Sequence, residues 1–374
     1  MKEYLKDHVR RYPKMQVTDA VKLLYQSEFG GGHMIANPVK SLRWIEDEWE
    51  SMERAAIDRT GAPGDMPQVG EMMSGGNEQP IVKQEVEHIG NGMCRVYLSA
   101  LDQGLMPETL NQMFVQTADR TVGTVEGFEK KLEILRRCCE QGEMPFSLEE
   151  LDQYLEAYKR SGYPPVSHSE QYRQAYHPAY RVVAEYYTRF YPVFLEIDRV
   201  CHQAEGRTVV VAIDGMCGSG KSTLGRILKE IYDCNLFHMD DFFLRPEQRS
   251  EKRLAEAGGN VDYERFKTEI LDHISDADGL EYRPYDCSSG QLMEAVKVSP
   301  CRLNIVEGAY SHHPYFGDCY DLRLFYQVEK EEQLHRIMKR NGPEMLKRFE
   351  EEWIPMEQKY FAFFGIGEKS VHIR

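Results

Sequence analysis

Nine consecutive residues carry the clearest chemistry in the chain: Gly215-Met216-Cys217-Gly218-Ser219-Gly220-Lys221-Ser222-Thr223. Two glycines flank four residues and are followed by Lys and Ser, the spacing of a phosphate-binding loop. Such a loop must wrap its backbone N–H groups around polyphosphate. Gly215, Gly218 and Gly220 allow the tight backbone and the close approach this needs. The phosphates then lie at a helix N-terminus, where unpaired N–H groups and the helix dipole favour anions. In that arrangement Lys221 reaches the β- and γ-phosphates, and the Ser222 hydroxyl ligates Mg²⁺. Cys217 reads as a small loop filler, with a thiolate stabilised by loop N–H groups as the sharper alternative.

Three acids come next. Asp240 and Asp241 follow the short apolar run Asn235-Leu236-Phe237-His238-Met239, and Glu307 follows Arg302-Leu303-Asn304-Ile305-Val306. Carboxylates at the C-terminal ends of parallel strands face the ligand crevice. A phosphate cradle, a strand-end base and a strand-end carboxylate for Mg²⁺ or its waters are the parts that phosphoryl transfer needs, with ATP as the expected donor.

The elements that must hold these residues are legible. Thr208-Val209-Val210-Val211-Ala212-Ile213-Asp214 is apolar and β-branched, a buried parallel strand leading into the loop. Leu224 to Ile231 has apolar residues at helical spacing after it. From Gly206 onward, β-like runs alternate with helical ones, which predicts an α/β domain over 205–374 with a parallel sheet flanked by helices. The preceding 1–204 read as a mostly α-helical domain. Helices are expected from Thr18 to Phe29, from Asn37-Pro38 through Trp44 and Trp49, from Glu126 to Gln141, and after a Ser147/Glu150 capping box that puts Leu148, Leu151, Leu155 and Tyr158 on one face. Pro178 to His202 reads as a long aromatic helix interrupted at Pro192, and Thr60 to Pro80 as a glycine- and proline-rich loop. The tyrosines from Tyr172 to Tyr191 read as core and interface rather than as a base-stacking surface. A metal site from His33, His88 and His168 has no local spacing to support it.

The ordered set of motifs resembles the phosphoribulokinase/uridine kinase family of P-loop kinases. It is carried by GMCGSGKST at 215–223, HMDDFF at 238–243, NVDYERF at 260–266, YRPYD at 282–286 and IVEG at 305–308, followed by the basic stretch His335 to Arg340. The resemblance spans about 205–374. It implies an ATP- and Mg²⁺-dependent kinase acting on a primary hydroxyl of a small acceptor, a nucleoside such as uridine or another ribose-like compound. It makes Asp240 the acid beside the substrate hydroxyl, with Asp241 as rival. It makes Asp262 a ribose-binding acid, where a helix cap is the local alternative, and Tyr285 and Arg283 part of the acceptor pocket, although a solvated arginine fits Arg283 as well. Arg336, Lys339 and Arg340 lead into a lid. Arg340 is assigned to the transferring phosphoryl group and Arg336 to substrate, though the register leaves the three interchangeable. Asn341-Gly342-Pro343 breaks that helix as a hinge, so Lys347, Arg348 and the segment Trp353 to Phe364 are expected to close over the nucleotide. Uridine kinases carry a base-reading histidine shortly after the YD element. Here the stretch is Cys287-Ser288-Ser289-Gly290, which leaves a sugar, a vitamin precursor or glycerate as alternative acceptors. A nucleotide sensor signalling to residues 1–204 is a further alternative, against which the pairing of Asp240 with Glu307 argues.

Bulk properties narrow the partners. The 374 residues have a formal net charge of −15, and neither half is basic, so nucleic acid is an unexpected partner. No apolar run approaches a membrane span and no signal-peptide core opens the chain, which predicts a cytoplasmic protein without a membrane partner. Nine scattered cysteines fit reduced thiols. A homo-oligomer is compatible with this composition, and nothing in it sets the number of subunits.

Overall fold

The structure, a computed structural model, describes residues 1–60 and 85–373. The expected loop from Thr60 to Pro80 lies outside them beyond its first residue. The chain divides into two compact units, Met1–Tyr191 and Pro192–Arg374.

The first unit contains α1 (Lys2–Arg11), α2 (Val17–Phe29), α3 (Pro38–Thr60), strands β1 (Val86–Gly90) and β2 (Met93–Tyr97), then α4 (Pro107–Arg120), α5 (Val125–Glu140), α6 (Leu148–Arg160), α7 (Glu170–Tyr176), β3 (Tyr180–Ala184) and the short α8 (Glu185–Thr188). The capping box at Ser147 and Glu150 forms as expected. Asn37 Oδ1 accepts the Lys40 N–H at 2.9 Å at the start of α3. The aromatic stretch from Pro178 departs from the helical expectation. Tyr180-Arg181-Val182-Val183-Ala184 is a fully buried strand, paired antiparallel to β2 in a sheet ordered β1-β2-β3. Two adjacent β-branched residues suit that pleat better than a helix. Tyr172, Tyr180 and Tyr187 are core side chains.

Helix α2 is buried almost all round, so its polar residues need partners inside the fold. Asp19 accepts from His168 Nδ1 at 2.8 Å and Ser169 Oγ at 2.6 Å, and Gln26 Oε1 accepts from Arg95 Nε at 3.0 Å. Arg95 in turn pairs with Glu87 at 3.2 Å, and Glu87 with His8 at 2.8 Å. His168 is therefore a satisfied core residue. Burial pushes its pKa down to about 4, so the neutral ring donates to Asp19 and accepts from the Tyr180 hydroxyl at 2.7 Å. His88 faces Glu185 at 3.3 Å instead. Among the described residues, no group of three or more His, Cys, Asp or Glu side chains is placed to hold a metal ion.

The second unit runs α9 (Tyr191–Gln203), β4 (Val209–Gly215), α10 (Lys221–Ile231), β5 (Cys234–His238), α11 (Glu251–Ala255), α12 (Tyr263–Phe266), the short strands β6 (Leu280–Tyr282), β7 (Tyr285–Asp286), β8 (Gln291–Leu292) and β9 (Val296–Val298), then β10 (Leu303–Glu307), β11 (Leu322–Tyr326), α13 (Lys330–Arg348), α14 (Ile354–Phe364) and β12 (Val371–Ile373). Its main sheet is parallel, in the order β12-β11-β4-β10-β5. Strand β4 is buried along its whole length, as its Val-rich sequence requires in a sheet covered on both faces. The chain leaves β4 for β5, which lies beyond β10, and later fills the other side with β11. Neighbouring strands thus send their connections in opposite directions at β4, and the C-terminal ends there form the crevice in which α/β folds bind ligands. Among the described residues, no helix is long and apolar enough to cross a membrane.

Candidate active site

The loop between β4 and α10 is built at that crevice. Gly215 ends the strand at φ 139°, and a Cβ there would stand 2.1 Å from Tyr326 O, so only glycine fits. Behind it, Asp214 is wholly buried and accepts from Gly215 N at 2.7 Å, His312 N at 2.9 Å and Tyr360 Oη at 2.9 Å. Helix α10 then begins at Lys221. Among the described residues, the backbone N–H groups of Gly218, Gly220, Lys221, Ser222 and Thr223 meet no protein acceptor. The Ser219 hydroxyl is buried without a partner. An open row of donors at a helix N-terminus fits an anion such as a polyphosphate. Lys221 is 8% exposed and donates Nζ to Gly215 O at 2.7 Å and Met216 O at 3.0 Å, folded onto its own loop.

The register of the sheet brings the acids to this loop. Glu307 lies opposite Ile213 of β4 on one side and His238 of β5 on the other. Its Oε2 accepts from Ser222 Oγ at 3.2 Å, and its Oε1 from His238 Nδ1 at 2.5 Å. The bond to Glu307 raises the His238 pKa. Asp240 opens to the cleft two residues beyond β5. Its carboxyl is raised, first by desolvation and then by the charge of Glu307, while Lys221, His238 and Arg340 act in the opposite sense. The charges of Glu307, Lys221, His238 and Arg340 are thus felt at the Asp240 carboxyl. Asp241 is also raised, by desolvation and by Asp240, and bonds toward Tyr282.

The other sequence-predicted residues are placed as follows. Arg336 lies on α13 one turn before Arg340 and donates NH1 to Ser219 O at 2.7 Å and Nε to Glu332 at 2.7 Å. It braces the loop, while the exposed Arg340 donates Nε to Asn341 Oδ1 at 2.7 Å. Asp262 is 3% exposed and caps α12 by accepting Arg265 N–H at 3.1 Å; its other oxygen takes Gln248 Nε2 at 2.7 Å. Tyr285 is buried. Arg283 donates to Met293 O at 2.8 Å and Leu292 O at 3.2 Å, so its guanidinium is engaged on strand backbone. Thr223 is exposed and accepts from Arg226 at 3.4 Å. Burial pushes the Cys217 thiol up to about 12, with Glu357 adding to the effect, so the loop does not stabilise a thiolate there. Helix α13 is kinked at Gly342 (φ 79°, ψ 174°), where the hinge was expected. Beyond it, α14 packs into the unit through Ile354, Glu357 and Tyr360 rather than standing free above the loop.

Sequence reasoning missed His238, Asp214, Gln333 and Glu357. His238 had a usable signal, because it ends the strand that delivers Asp240. The other three depend on tertiary packing.

No protein-family model matches the chain. It is 35% identical over 66 residues to a bifunctional shikimate kinase/3-dehydroquinate synthase from Thermotoga maritima, a match that covers 18% of this chain and 13% of that protein. Among solved structures it is similar to a possible uridine kinase from Bacillus stearothermophilus, with TM-score 0.38, 18% identity, and coverage of 48% of this chain and 97% of that one. It is also similar to a candidate fructose transport system kinase from Silicibacter sp. TM1040, with TM-score 0.37, 20% identity, and coverage of 44% and 94%. Likenesses of this strength assign neither activity nor substrate. The parallel strand order, the glycine loop between β4 and α10 and the acids beyond β5 and at the end of β10 make Pro192–Arg374, about half of the chain, an α/β unit with a phosphate-loop arrangement at its central strand.

Proposed function

We propose that the second unit transfers the γ-phosphoryl group of ATP to a primary hydroxyl of a small metabolite, a nucleoside or another ribose-like compound. The observation that supports this most is the Ser222–Glu307 hydrogen bond at 3.2 Å beside a loop whose N–H groups are open, with Asp240 two residues beyond the neighbouring strand end. The loop amides hold the phosphate tail, and Lys221 turns from its two loop carbonyls to the anion that replaces them. Asp240, when ionised, accepts the proton of the attacking hydroxyl. Arg340 meets charge that spreads onto the transferring group. Ser222 and Glu307 are the residues that would hold Mg²⁺, and His238 keeps the Glu307 carboxylate oriented. Few protein ligands are expected, because Mg²⁺ takes most of its shell from water and phosphate. When bound, the ion neutralises charge on the β- and γ-oxygens.

The experiment is to incubate the full chain with Mg-ATP and a panel of nucleosides, sugars, vitamin precursors and glycerate, following ADP. Acceptor-dependent ADP release is expected, and Lys221→Ala should abolish it. Tight ATP binding with no stimulation by any acceptor would instead support a nucleotide sensor.

A further inference from the structure

Cys217 is held from two helices at once. Gln333 of α13 donates Nε2 to Cys217 O at 2.8 Å and lies 3.3 Å from its Sγ. Glu357 of α14 accepts the Cys217 N–H at 2.9 Å. Gln333 is 1% and Glu357 5% exposed, and the kink at Gly342 separates them along the chain. The two peptides that flank Cys217 are thus pinned, the one before it through its N–H and the one after it through its C=O, whereas Gly218, Gly220 and the first residues of α10 keep their amides open.

Burying a carboxylate costs free energy unless it is well paired. Glu357 also has the wrong sign to attract the anion that the loop suits. Attraction of ligand is therefore no explanation for it. Its paired atom is a backbone N–H, and burial raises its pKa while the charge of Lys221 acts in the opposite sense. A buried hydrogen bond of this kind is costly to leave unmade and so fixes the plane of the peptide that donates it. The orientation of the two planes at Cys217 sets the start of the turn that follows, at Gly218 (φ 72°) and Gly220 (φ 114°).

We propose that Glu357 is a positioning residue for the nucleotide, which with Gln333 sets the two peptides at Cys217 and thereby the spread of the open amides, so that packing of α13 and α14 determines the shape of the phosphate cradle. The inference rests on reading the loop as a nucleotide site.

The test uses calorimetric titration of the full chain with Mg-ATP, together with KM for ATP and for the acceptor once one is identified. Glu357→Ala should weaken ATP binding about tenfold, the scale of one lost buried hydrogen bond. Acceptor KM should stay put, and amide exchange should quicken from Cys217 to Lys221. Glu357→Gln, which keeps an acceptor for the N–H, should restore most of the affinity. Gln333→Ala should move ATP binding in the same direction as Glu357→Ala, and it decides the matter should the latter fail to fold. A folded Glu357→Ala protein with wild-type ATP affinity overturns the proposal, as does a Glu357→Gln protein as impaired as the alanine variant. No heat from the wild-type chain would overturn the nucleotide reading itself, and the positioning role with it.

Discussion

In the proposed reaction Asp240 must be ionised to take a hydroxyl proton, and desolvation with the charge of Glu307 holds its pKa above the ordinary aspartate value. Turnover is then expected to fall as pH drops through that raised pKa, so the acid limb of kcat/KM should stand above the ordinary aspartate range. Asp240→Asn is expected to lower kcat by about 10²–10⁴, the usual span for a general base, with Mg-ATP affinity unchanged and the acid limb lost. A variant with near-normal kcat would remove the role from Asp240 and pass it to Asp241. Residue types alone placed Lys221, Ser222, Asp240 and Glu307, because each belongs to a local motif whose spacing implies its chemistry. They could not separate Arg336 from Arg340. One turn of α13 divides the two, and only the packed structure puts Arg336 on Ser219 O and Arg340 on Asn341 Oδ1.

Strand β4 and the turn out of it do the mechanical work of the site. Gly215 lies between β4 and the backbone of Tyr326 on β11, and substitution there is resisted by both conformation and space. Gly215→Ala should destabilise the protein by roughly 3 kcal/mol, combining a strained backbone with overpacking, and should abolish ATP binding. Urea unfolding and calorimetry check this; an unchanged midpoint with intact binding would mean that the β4–β11 spacing relaxes freely. At this scale the strand, loop and helix were legible because hydrophobic pattern and glycine spacing agree with each other. Strand β3 was illegible. Its flanking tyrosines mimic a helical aromatic face, and only pairing with β2 gives Val182 and Val183 their extended backbone.

The two units meet in sequence at Tyr191–Pro192, ahead of the boundary at residue 204 expected from the alternating runs that begin at Gly206. Helix α9 explains the difference. Its Asp198 accepts the Tyr232 hydroxyl at 2.8 Å, and the backbone of Cys201 accepts from Arg302 at 2.6 Å. Val193, Phe194, Ile197 and Val200 are buried. A fragment that begins at Pro192 should therefore melt well above one that begins at Glu205, and should retain Mg-ATP binding. Thermal melts and calorimetry on both fragments test this, and equal melting temperatures would make α9 dispensable. The sequence by itself determined where the glycine loop and the strand-end acids of the second unit stand, because these are short-range patterns in which residue type and spacing already encode the local geometry. Tertiary structure alone decided that His238 orients Glu307, that Glu357 and Gln333 hold Cys217, and that α9 belongs with the sheet. Those pairings join residues far apart in the chain, and only strand register and helix packing bring them within hydrogen-bond distance.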